Sequence, residues 1–103
     1  MFSIVIGTFP DEDTARSTVR TLVEEGLIAC GSLLPCTSIY TWKDEIEEGG
    51  ETMAVMKTRT SLAGEVIERI VSRHPYDVPE AVSVRIDDGH LPYLEWIAGS
   101  TRE

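Results

Sequence analysis

The chain has 103 residues and a formal net charge of −9, with 9 Lys and Arg against 18 Asp and Glu. That length suits one domain, residues 1–103, with a thin core, because a fold of this size hides only about 60–70% of the surface its open chain exposes. An acidic surface repels phosphate backbones and anionic membranes, so nucleic-acid and membrane-surface partners are excluded in their simplest forms.

Phe2 to Thr8 opens as a strand, with β-branched Ile4, Val5 and Ile6 at its centre. No Lys or Arg precedes it, as the start of a signal peptide would require, and no apolar run approaches the about 20 residues of a membrane-spanning helix. A cytoplasmic protein is the expectation. Pro10 and the trio Asp11, Glu12, Asp13 mark a helix start, where carboxylates face the positive end of the dipole and Asp11 caps free amides. Ala15, Val19, Leu22 and Val23 then share one helical face, and Gly26 stops the helix.

Leu27 to Trp42 reads as extended but interrupted, since Gly31 and Pro35 each suit a bulge or a bend. Beyond Pro35, Thr37, Ile39 and Thr41 alternate with Ser38, Tyr40 and Trp42, which puts the two aromatics on one face. Lys43-Asp44-Glu45 is a turn, and Ile46 to Arg59 runs back. Gly49-Gly50 admits either a second turn or a bulge; a long, bent hairpin is the favoured reading. Thr60 or Ser61 caps a second helix, with Leu62, Ala63, Val66, Ile67, Ile70 and Val71 as its buried stripe and Pro75 as its end. Ala81 to Ile86 alternates as a half-buried strand, and Pro92 starts a short C-terminal helix. The order β-α-β-β-α-β is the split arrangement of an α+β ferredoxin-like sandwich with an extended β2–β3 hairpin.

Chemistry is sparse. The densest cluster is His74-Pro75-Tyr76-Asp77-Val78-Pro79-Glu80, where two prolines stiffen a segment carrying an imidazole, a phenol and carboxylates. It reads as a site on a rigid support or simply as a rigid connection between elements. Cys30 and Cys36 lie six apart with no second pair, which fits neither a disulfide framework nor zinc spacing. Cys30 reads as a packed, apolar thiol and Cys36 as the more exposed of the two. Asp44, Glu45, Glu47, Glu48 and Glu51 read as a solvated edge that resists aggregation. Tyr40, Trp42 and Trp96 fall beyond what two helices can cover; another copy of the chain, or a fold-back onto its own helix, would shield them. No phosphate loop, flanked serine nucleophile or His-Glu-x-x-His occurs, so a non-enzymatic protein is expected.

Thr8-Phe9-Pro10-Asp11-Glu12, Leu27-Ile28-Ala29-Cys30, Ser38-Ile39-Tyr40-Thr41-Trp42, Lys57-Thr58, the His74–Glu80 string and Tyr93-Leu94-Glu95-Trp96 follow in order. Together they resemble the CutA1 family of divalent-cation tolerance proteins over nearly the whole chain. The resemblance implies a tight homotrimer whose hairpin reaches a neighbouring subunit, with Tyr40, Trp42 and Trp96 at the interface, and a link to copper tolerance. Members credited with copper binding place a Cys before Thr-x-Pro and paired His before Pro-Tyr. Here those positions are Gly7, Arg73 and His74. The resemblance therefore implies no required cofactor, and weak contact with Cu²⁺ or another divalent cation through His74. The trimer also resembles the PII signalling proteins, which implies as an alternative a small ligand held between subunits by Lys57, Arg73, Tyr76 and Asp77.

Overall fold

The computed structural model describes all 103 residues. In chain order they form β1 (Phe2–Phe9), α1 (Glu12–Glu24), β2 (Cys30–Trp42), β3 (Glu45–Arg59), α2 (Thr60–Arg73), β4 (Ala81–Arg85) and α3 (Leu91–Ser100). The four strands make one antiparallel sheet in the order β2-β3-β1-β4. This is the expected ferredoxin-like α+β sandwich, with β3 inserted between the two strands that α1 connects.

Alternation along the strands gives the sheet two faces. Val5, Phe9, Ala54 and Met56 point to the helices and are fully buried against Ala15, Val19 and Leu22 of α1 and Leu62, Val66 and Ile70 of α2. The register puts Ile4, Ile6, Val55, Val82 and Val84 on the opposite, open face. There α3 covers one end: the Tyr93 hydroxyl lies 3.5 Å from Cys30 Sγ, and Arg59 donates to the Ala98 carbonyl and to Thr101 Oγ1. Beyond α3, Ile4, Ile6 and Val55 on that face are half-buried, and exposure increases toward β4. Val82 and Val84 are about half exposed, so the half-buried strand expected at Ala81–Ile86 turns its apolar side to solvent and only Ala81 packs on the core.

Asp11 caps α1 as expected, accepting from the Thr14 amide at 2.7 Å. Several local expectations need correction. β2 and β3 pair from Cys30↔Lys57 to Trp42↔Glu45 without a skipped residue, so neither Gly31, Pro35 nor Gly49-Gly50 makes a bulge. Pro35 is tolerated because β2 is an edge strand and needs no donor on its free side. Gly31 answers to packing: a Cβ there would sit 2.6 Å from Val19 Cγ1, where α1 presses on β2. At the hairpin end Lys43 and Asp44 take φ of 51° and 66°, the two-residue type I′ geometry whose twist matches paired strands.

The α2 cap also differs from expectation. Arg59 is the N-cap and its side chain makes no capping bond to the helix, while the Thr60 hydroxyl bonds Ser3 Oγ instead. Val23 and Val71 lie exposed at the margins of their helical stripes, and Thr18 is buried in place of Val23. Thr18 can go inside because its hydroxyl donates to the Thr14 carbonyl. Cys30 is no packed core thiol: it and Cys36 are both partly exposed.

Candidate functional site

Past Glu51 the hairpin runs on beyond the helices, and β3 is exposed at every position from Glu45 to Gly50. Where this ribbon leaves the body, the open face and the segment after α2 enclose a cleft of about 670 Å³. Thr8, Glu51, Ser38, Tyr40 and Trp42 line it from three adjacent strands, all on the open face by register. Tyr76, Asp77, Val78 and Glu80 close it from the other side.

His74 sets that second wall. Its ring stacks on Phe9 with centroids 5.0 Å apart and meets the Tyr76 ring at 4.7 Å. Nδ1 accepts from the Tyr76 amide at 3.2 Å, so Nε2 carries the proton and donates to the Thr8 carbonyl at 2.7 Å. The Tyr76 phenol then reaches across and donates to Glu51 Oε2 at 2.9 Å. Burial, followed by the Glu51 hydrogen bond and charge, pushes that phenol up from 10 to about 12. The prolines at 75 and 79 restrict the same segment.

Of the residues singled out as a ligand set, the chain brings together Tyr76 and Asp77 only. Lys57 pairs with Cys30 and Ile4 at the α3 end of the open face. Arg73 is on the helix side, donating to Ser17 Oγ at 3.2 Å beside a second, smaller cleft with Asp13, Thr14 and Thr18. As for the metal positions, both His74 nitrogens are engaged with backbone. A Cβ at Gly7 would stand 3.1 Å from the Glu80 carbonyl and 3.6 Å from the Phe9 ring. No group of three or more His, Cys, Asp and Glu side chains is arranged to hold a metal within one chain. Tyr40 and Trp42 are roughly half exposed, as is Trp96, which meets only Tyr93 at 5.4 Å among aromatic rings.

Sequence reasoning missed Glu51 as a cleft residue. It joins Tyr40 and Trp42 on one face because pairing continues unbroken through Gly49-Gly50, and the Glu47-Glu48-Gly49-Gly50-Glu51 stretch carries no alternation in sequence that would have shown it. The cleft holds three aromatic rings, three carboxylates (Glu51, Asp77, Glu80) and no Lys, Arg or His.

Comparison with known proteins matches residues 3–100 to the family model described as CutA1 divalent ion tolerance protein. A divalent-cation tolerance protein CutA from Pyrococcus horikoshii is 43% identical over 100 residues, covering 97% of this chain and 98% of that one. The solved structure of the Thermus thermophilus divalent cation tolerance protein superposes with a TM-score of 0.94 at 40% identity, over 99% of this chain and 100% of that one. The Archaeoglobus fulgidus structure, described as a periplasmic divalent cation tolerance protein CutA, gives 0.95 at 28% identity over 97% and 98%. With a family model spanning nearly all its residues and relatives of matching length and fold, the chain belongs to the CutA1 family of divalent-ion tolerance proteins.

Proposed function

We propose that this chain works as a homotrimer in divalent-cation tolerance, copper included, binding rather than transforming its partners. Metal contacts in this reading are weak and completed between subunits, because one chain gathers no ligand set and His74 has both nitrogens committed to backbone. The observation that carries the reading is the ribbon. Ile39 and Ile46 are 67% and 80% exposed there, Tyr40 and Trp42 line its other face, and Val82 and Val84 are about half exposed on the adjoining sheet. Apolar area of this kind, continuous with a projecting hairpin, is suited to burial against sister subunits.

Sedimentation at micromolar concentration, with and without Cu²⁺, tests it. The expected species is a trimer, and Tyr40→Ala combined with Trp42→Ala shifts it to smaller forms. Cu²⁺ raises the melting temperature modestly, because a ligand that binds only the folded state stabilises it, and His74→Ala reduces that rise if the ring takes part. A compact, fully folded single subunit at micromolar dilution overturns the assembly. An unchanged melting temperature at millimolar Cu²⁺ overturns direct metal binding.

A further inference from the structure

We infer that Lys57 of one copy of the chain seats against Asp77 and Glu80 at the root of the next copy's ribbon. This rests on the trimer reading and adds which groups meet in it. Strand register turns two basic residues of the sheet, Lys57 and Arg59, toward the open face. Arg59 is committed to the Ala98 carbonyl and to Thr101 Oγ1. The chain's ion pairs engage Arg16, Arg69 and Arg102. Lys57, half-buried between Cys30 and Ile4, has no side-chain partner at all.

The reverse holds at the other end of the same face. Asp77 and Glu80 stand at the cleft with no donor, beside Glu51, which accepts from Tyr76. Within one chain the two sets cannot meet. Ile4 lies opposite Lys57, and Thr8 at the cleft is four residues farther along β1, about 13 Å of strand. Covering this face with sister subunits takes an unpaired ammonium and unpaired carboxylates out of water together, and buried charges persist only when paired. A head-to-tail contact, in which one end of a face meets the opposite end of the next, answers both demands and can close into a ring. Contacts between like ends would set ammonium against ammonium or carboxylate against carboxylate, so the same charges select the direction of the ring. Lys43, the other lysine, is the poorer candidate, because it stands on the exposed turn with Nζ 5.8 Å from the centroid of its own Trp42 ring.

Zero-length cross-linking tests the contact on the full chain. A carbodiimide activates a carboxylate, the lysine amine attacks the activated carbonyl, and an amide forms as the urea leaves, so only groups in contact are joined. In a Lys43→Arg background, Lys57 and the N-terminus are the remaining amines. Covalent dimers and trimers on a denaturing gel are expected, with peptide mass spectrometry joining Lys57 to Asp77 or Glu80. Lys57→Arg keeps the charge and the sedimenting trimer, and the Lys57 linkage is expected to vanish. Independently, Lys57→Glu is expected to shift the trimer to smaller species, and Asp77→Lys or Glu80→Lys in the same chain to restore it. A trimer in which Lys57 joins no carboxylate or one outside the cleft, or which Lys57→Glu leaves intact, overturns the inference and leaves the assembly standing. Failure of both restoring changes does the same. A parent chain that sediments as a monomer overturns both readings.

Discussion

The two halves of β3 differ in everything except their hydrogen bonds. From Glu51 to Arg59 buried and half-buried residues alternate, with Thr52, Ala54, Met56 and Thr58 turned inward. From Glu45 to Gly50 every residue is exposed. Yet the pairing with β2 continues in one register through both halves. Backbone pairing therefore does not need the core beneath it, whereas stability does: an isolated two-stranded ribbon is marginal in water. The fold is held by the half under the helices. The outer half adds nothing to that core, and its one branched side chain, Ile46, lies exposed.

Truncation separates the halves most sharply. Met56→Ala removes a fully buried side chain from the core and is expected to cost about 2–5 kcal/mol, at any protein concentration. Trp42→Ala acts on the ribbon, so its cost is expected only as a steeper dependence of the urea midpoint on protein concentration over about a hundredfold range. A concentration-independent loss for Trp42→Ala comparable to that of Met56→Ala would break the division. Next in size is the seam where α1 meets β2. Gly31→Ala puts a carbon 2.6 Å from Val19 Cγ1 and is expected to cost about 1–3 kcal/mol by overpacking. Val19→Ala in the same chain should recover much of it, a coupling that urea unfolding of both single variants and the double variant measures. Without that recovery, Gly31 would owe its place to backbone conformation instead of helix contact.

The covered half was legible in the sequence because burial there follows simple periods. Ala15, Val19 and Leu22 are spaced as one helical face and are buried, and Asp11 stands where a helix start wants an acceptor. Val23 misled because a stripe has margins. Thr18 lies nearer its centre, and a threonine that satisfies its own hydroxyl can be buried there. The ribbon was harder to read, since glycines at 31, 49 and 50 signal bulges as readily as close packing or an open edge. The candidate site was legible only in part. The His74–Glu80 string forms one wall, but its partners come from β1, β2 and β3, and nothing local in sequence fixes that register. Lys57 and Arg73 sit on different faces of the molecule, a separation that charge and chain position do not reveal.

The smallest expected effect concerns the bond that joins ribbon and wall. Tyr76→Phe keeps the ring but removes the donor to Glu51, at an expected cost of about 0.5–1 kcal/mol near neutral pH, as for a partly exposed hydrogen bond. The phenol is pushed up from 10 to about 12 by burial and by Glu51. Between those values the folded chain keeps a proton that the unfolded chain has released, so rising pH favours unfolding. The contribution of Tyr76 is thus complete below pH 10 and is lost as pH rises through 12. Other tyrosines titrate in the same range, which makes the parent-minus-variant difference the informative quantity. Urea unfolding across that window should show the difference shrinking as pH climbs. A difference that stays constant would mean the phenol is free of Glu51, and the ribbon would then be joined to the wall by van der Waals contact alone.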